Sequence, residues 1–150
     1  MMGPSLAVNS ACSSALSAVA QACASLTSRQ ADFALAGGSA LTFPGQGYLF
    51  EQGLVNSVDG KVRPFDAKAH GTVFGDAVGC VAMRRLDEAI ADDDRVMAII
   101  RGCGITNDGA RKAGYAAPGV AGQVAAVTAA LDAAGVSSSE VSYANPTPTP

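Results

Sequence analysis

Apolar and polar positions alternate along this chain in short blocks, and the block lengths predict alternating strands and helices. Leu6 to Asn9 is a brief apolar run behind the turn Gly3-Pro4 and predicts a strand. Ser13 to Ser28 has continuous helix-forming composition, with Leu16, Val19, Cys23 and Leu26 spaced onto one face. Asp32 to Ala36 reads as a short buried strand ended by Gly37-Gly38. Gly45 to Gly53 predicts a short helix, and Asn56 to Gly75 a loop rich in Gly, Asp and Lys. Ala77 to Arg84 alternates as a strand, and Leu86 to Ala91 predicts a short helix ended by the acidic turn Asp92-Asp93-Asp94. Arg95 to Ile105 is a long apolar strand bent at its end by Gly102 and Gly104. A loop follows from Asn107 to Pro118. Gly119 to Ala134 then predicts an amphipathic helix with Val120, Val124, Val127 and Leu131 in register, closed by Gly135. Ser137-Ser138-Ser139-Glu140 has the spacing of a helix cap, and Val141-Ser142-Tyr143 begins one more strand. The order of these elements predicts an α/β layered sheet. Alternating prolines from Pro146 to Pro150 fix an extended backbone and remove donors, so the globular pattern stops there.

Composition narrows the class. The 150 residues fit one domain or part of a larger one, and 49% are apolar against 15% charged. Only 5% are aromatic and none is Trp, so the core is expected from Ala, Val and Leu, which lets layers approach closely. A net charge of −3 offers no basic patch for nucleic acid. No apolar run has the length of a membrane span, and Met1-Met2-Gly3-Pro4 lacks a basic leader, so the expected location is the cytoplasm. Cys12, Cys23, Cys80 and Cys103 form no CxxC pair, which gives zinc and disulfide frameworks weak support. Three of them are expected to be small buried hydrophobes.

Cys12 is the exception. It lies in Ser10-Ala11-Cys12-Ser13-Ser14, where a strand gives way to a helix. Helix N-terminal N–H groups and the helix dipole favour a thiolate at such a junction. Ala11 and Ala15 keep the site open to a large acyl group, and the hydroxyls of Ser13 and Ser14 are placed to serve free N–H groups of the first turn.

The segment Gly3 to Ser14 resembles the active-site segment of β-ketoacyl synthases, and is most similar to the ketosynthase domains of modular type I polyketide synthases. The likeness continues in order through Asp32-Phe33-Ala34-Leu35-Ala36-Gly37-Gly38, then Arg63-Pro64-Phe65-Asp66 to Gly71, Gly75-Asp76 and Gly79. Arg101-Gly102, Asn107-Asp108-Gly109, Ala133-Ala134-Gly135 and Val141-Ser142-Tyr143 complete it. The resemblance implies part of a thiolase-like layered fold, a mixed sheet packed with helices, truncated at both ends. Residues 1–143 are then a partial ketosynthase domain, and 144–150 a Pro/Thr tail that departs from the family. It implies that Cys12 takes an acyl chain from an acyl carrier protein or CoA thioester, with its own backbone N–H as one oxyanion donor. A malonyl-type extender is then decarboxylated and attacks the acyl-cysteine to give a β-ketoacyl product. No bound cofactor is implied, only phosphopantetheine-linked thioester substrates. The partners implied are the carrier protein and, in the parent, a second copy paired through the strand before the cysteine.

The family's reaction needs two histidines. The first position falls on Thr147 in the proline tail, and the second, with a supporting lysine, lies beyond residue 150. The single histidine, His70, occupies Lys68-Ala69-His70-Gly71, a loop position expected to be solvated rather than catalytic. Asp66, Asp76 and Asp108 fit acid–base or metal chemistry in principle, but their glycine neighbours favour turn-forming side-chain bonds. The stretch Gly71 to Gly79 carries neither GxGxxG nor a Walker pattern; its glycines are expected to allow a tight path, and Phe74 to help shape an acyl pocket. These residues leave two functions open: an acyl-accepting piece that does not itself condense, or a non-catalytic dimerisation piece using Ser5 to Asn9. A thioesterase-like use of Cys12 with an unknown base has little support.

Overall fold

The computed structural model describes residues 3–43, 45, 47–111, 117 and 119–145. The chain divides into two compact units, Met1–Ala40 with Ala77–Arg101, and Leu41–Asp76 with Gly102–Pro150.

The first unit holds helix α1 (Ser14–Thr27), strands β1 (Phe33–Ala40) and β2 (Ala77–Arg84), and helix α2 (Leu86–Ala91). The strands pair antiparallel, from Phe33 opposite Arg84 to Ala40 opposite Ala77. Gly37-Gly38 was expected to end β1; instead the strand runs through both. A Cβ on Gly37 would lie 2.1 Å from the Gly79 carbonyl oxygen, and one on Gly38 would lie 2.9 Å from the Ala15 Cβ. The glycines therefore allow close approach on both sides, to β2 and to the first turn of α1. β2 and α2 have the predicted boundaries.

One side chain ties this unit together. Arg85, at the N-cap of α2, donates from Nη1 to the carbonyls of Leu26 at 2.8 Å and Ala31 at 2.7 Å. It also donates to Asp32 at 2.5 Å, and through Nε and Nη2 to Glu88 at 2.8 and 2.9 Å. It thus satisfies carbonyls at the end of α1 while anchoring the start of α2. The acidic turn is not merely solvated: Arg84 pairs with Asp92 and with Asp94, and Asp93 is left-handed at φ 57°.

The second unit carries helix α3 (Val120–Ala134), flanked by 3-10 turns at Gly109–Arg111 and Ser138–Glu140. Asp108 accepts the Gly119 N–H at 3.1 Å, and Gly135 closes the helix at φ 64°. The Ser137 N–H donates to Glu140 Oε2 at 2.7 Å, the cap its spacing predicts. The packed face of α3 differs from expectation. Val120, Val124 and Val127 are exposed, whereas Gly122 is buried. A Cβ on Gly102 would lie 2.3 Å from the Ala130 carbonyl oxygen, and one on Gly104 would lie 2.1 Å from that of Ala126. Small residues thus set a backbone-to-backbone seam, and van der Waals clearance rather than valine burial orients the helix.

Three predicted strands, 6–9, 95–105 and 141–143, enter no ladder among the described residues, because no neighbouring strand offers them N–H and C=O partners. The described sheet is two-stranded and antiparallel, a small part of a layered α/β fold. The described residues of 45–53 form no helix. Residues 112–116 and 118 of the expected loop and 146–150 of the tail, Thr147 included, lie outside the described residues.

Candidate active site

The bend that carries Cys12 is built from its neighbours. Ala11 adopts a left-handed conformation at φ 47°, which turns the chain just before α1. The Ser13 N–H donates to the Ser10 carbonyl and the Ser14 N–H to the Ala11 carbonyl, each at 3.1 Å. Contrary to the expectation from the sequence, the serine hydroxyls do not cap free helix N–H groups. Ser13 Oγ donates to the Ser10 carbonyl at 2.8 Å, and Ser14 Oγ donates to the Ala11 carbonyl at 2.7 Å while accepting the Ser10 N–H at 2.8 Å. They bind the bend itself, because their oxygens reach back one turn to the second lone pair of carbonyls that already accept an N–H. Cys12 sits inside this bend, exposed and unbridged. α1 rests its first turn against β1 at Gly38, so the sheet locates the thiol.

The other cysteines partly depart from expectation. No disulfide joins any of the four; Cys23 is half-buried, but Cys80 and Cys103 are exposed because no further layer covers them within the described residues.

His70 is exposed, as its loop position suggests, and its ring joins a hydrogen-bond network. Ser57, fully buried, donates from Oγ to Asp59 at 2.9 Å and lies 3.4 Å from His70 Nδ1. Arg63 donates to both Asp59 oxygens, at 3.2 and 2.6 Å, and its Nη1 lies 3.2 Å from His70 Nε2. The Lys61 N–H donates to both Ser57 Oγ and Asp59 at 3.1 Å, and the Tyr48 hydroxyl donates to the Ser57 carbonyl. The Arg63 hydrogen bonds hold the Asp59 carboxyl well below the usual carboxylate range, helped by Ser57 and the Lys61 amide against partial desolvation. Asp59 in turn raises Arg63. Gly71, at φ 134°, makes the network possible: a Cβ there would lie 2.7 Å from the Asn56 carbonyl and the Ser57 nitrogen. This network was missed from sequence, since neither Ser57 nor Asp59 stands in a recognisable chemical spacing.

The three candidate carboxylates each accept a backbone N–H in a structural role. Asp66 accepts the Lys68 N–H at 2.7 Å, Asp76 the Thr42 N–H at 2.6 Å, and Asp108 caps α3. Gly75 and Gly79 have open space where a Cβ would stand, so of the three loop glycines only Gly71 is sterically required. Phe74 is exposed.

Comparison with known proteins decides the family. Residues 1–89 match the β-ketoacyl synthase N-terminal domain, and residues 97–149 match its C-terminal domain. The chain belongs to the β-ketoacyl synthase family. It is 50% identical over 144 residues to a phenolphthiocerol/phthiocerol polyketide synthase protein of Mycobacterium tuberculosis, covering 95% of this chain and 10% of that protein. It is 42% identical over 144 residues to polyketide synthase PksN of Bacillus subtilis, covering 95% of this chain and 3% of that protein. Among solved structures it matches ketosynthase twelve of the Bacillus amyloliquefaciens bacillaene polyketide synthase with TM-score 0.88 and 38% identity, covering 94% of this chain and 25% of that one. The module 1 ketosynthase of the bacillaene synthase matches with TM-score 0.84 and 36% identity, covering 95% of this chain and 25% of that one. The α/β fold is therefore that of the thiolase-like ketosynthases of modular polyketide synthases. The chain spans a small part of its curated relatives and a quarter of each of these ketosynthase chains.

Proposed function

We propose that this ketosynthase chain supplies the acyl-accepting cysteine of a polyketide condensing enzyme, and that Cys12 is that nucleophile. The bend around Ala11 carries the reading: it presents an exposed thiol immediately ahead of α1. Thiolate attack on an acyl thioester forms the Cys12 thioester and releases the carrier thiol, which splits the acyl transfer into two easier steps. The Cys12 backbone N–H serves as one donor to the oxyanion formed on the way. The donor is a phosphopantetheine thioester on an acyl carrier protein or CoA, and the setting is the cytoplasm. Among the described residues no helix is long and apolar enough to cross a membrane.

Decarboxylation and condensation are assigned to groups other than these residues. The chain's one histidine, His70, is committed to Ser57, Asp59 and Arg63. With an acyl thioester, intact-mass spectrometry is expected to show one acyl adduct, absent from Cys12→Ala. Adding a malonyl thioester is expected to give no β-ketoacyl product. A missing adduct would refute Cys12 as nucleophile, and product above background would refute the division of labour.

A second reading rests on Ser5 to Asn9. This run forms no ladder among the described residues and leaves Leu6 exposed, an edge open to a second copy as in a dimeric parent. Sedimentation of the wild type against Leu6→Lys tests it, with dimer expected only in the former.

A further inference from the structure

We propose that Ser14 is a positioning residue for Cys12, acting by holding Ala11 in its left-handed conformation; the proposal rests on Cys12 as the acyl-accepting thiol. A non-glycine residue at φ 47° sits in a sparsely populated region and reverts unless its flanking peptide groups are held. Both are. The carbonyl before Ala11, that of Ser10, accepts the Ser13 N–H and Ser13 Oγ–H. The carbonyl after it, Ala11's own, accepts the Ser14 N–H and Ser14 Oγ–H. Across the bend Ser13 Oγ lies 2.7 Å from Ser10 Oγ, whereas Ser14 Oγ takes a backbone N–H, that of Ser10, at 2.8 Å. One oxygen thereby closes a ring that begins ahead of Ser10 and ends after Ala11, and Cys12 follows directly. Asn9 adds only a long bond of 3.4 Å to the Ala11 N–H. Ser14 is itself the first residue of α1, and that helix is seated on β1 through Ala15 and Gly38, so the ring fixes the bend to a rigid body.

The remaining cysteines supply internal controls, because Cys80 and Cys103 are exposed and remote in sequence from the bend, while half-buried Cys23 reports on α1. Alkylation by iodoacetamide, followed site by site by peptide mass spectrometry, reads all four in one reaction. In Ser14→Ala the Cys12 rate is expected to fall about fivefold or more relative to Cys80 and Cys103, the scale that loss of a held backbone conformation implies. Ser14→Thr keeps the oxygen and should keep the wild-type rate. Ala11→Gly added to Ser14→Ala should restore it, since glycine holds the left-handed conformation without steric cost. In parallel, a strong intraresidue HN–Hα NOE at Ala11, the signature of positive φ, should be present in wild type and Ser14→Thr and lost in Ser14→Ala. An unchanged Cys12 rate in Ser14→Ala would overturn the proposal. So would faster alkylation of Cys23 in the same variant, because Ser14 would then be holding the helix rather than the bend. If the brace behaves as described but wild-type Cys12 takes no acyl group from a thioester, the acyl-accepting reading fails and the brace stands.

Discussion

At the residue scale, the positions that matter most are those where a side chain or its absence fixes a backbone conformation. Gly71→Ala would force a Cβ against the Asn56–Ser57 peptide at a φ that alanine rarely adopts. A loss of about 2–4 kcal/mol is expected in chemical denaturation of the loop that closes on Ser57. Asp59 gives a pH prediction. Its carboxyl is held below the ordinary range by Arg63, so its stabilising contribution is complete at neutral pH and is lost only as pH falls through the depressed value. Amide protection at Ser57 and Thr72 should therefore persist through about pH 4, where ordinary carboxylates titrate, and collapse in stronger acid. Asp59→Asn should already show reduced protection at neutral pH. The structural role of Asp66 was legible in sequence because its bond to the Lys68 N–H is local, whereas Asp76 and Asp108 take structural bonds from Thr42 and Gly119, farther along the chain. The Arg85 clamp was not legible, since its partners Leu26 and Ala31 lie more than fifty residues away and are backbone carbonyls that any sequence would offer.

At the scale of elements, α1, α2 and α3 were readable because a helix closes its own hydrogen bonds, and β2 because its alternation lies in its own residues. α1, α2 and β2 carry their predicted spans almost unchanged, since capping, periodicity and alternation are properties of the segment itself. Segments 6–9, 95–105 and 141–143 have strand composition but no strand neighbour among the described residues, and a strand is defined by its neighbour as much as by its residues. The face of α3 was misjudged for a related reason: its valines outweigh its alanines in hydrophobicity, but the approaching Gly102 and Gly104 leave room only for small partners. Gly104→Val should displace α3, with a loss of α3 amide protection in hydrogen exchange and a cost of about 2–4 kcal/mol. Arg85→Ala should loosen the end of α1 and the start of α2 together, and Arg85→Lys should not rescue it, because one ammonium cannot serve two carbonyls and two carboxylates at once.

At the scale of the whole molecule, apolar surface stands uncovered. Phe43 and Leu49 are 96% and 95% exposed, and the hydrophobic side chains buried among the described residues are Leu26, Ala36 and Ala89. In the first unit an open apolar groove of about 1110 Å³ runs past Phe33, Val81, Met83, Ile90, Met97 and Ile100. Surfaces of this kind associate. Size-exclusion chromatography with light scattering should show mass rising with concentration, and an apolar dye should bind severalfold more strongly than to a closed domain of this length. Co-expression with the remaining three-quarters of a ketosynthase should suppress both. The glycine–alanine seam beneath α3 bears on how such synthases can be recombined. Because Gly102 and Gly104 fit only what Ala126, Ala130 and Ala134 leave open, the two sides form a matched pair. A chimaeric synthase joined between residues 105 and 119 would marry one parent's glycines to another parent's helix, whereas a junction ahead of Gly102 would pass the pair on intact.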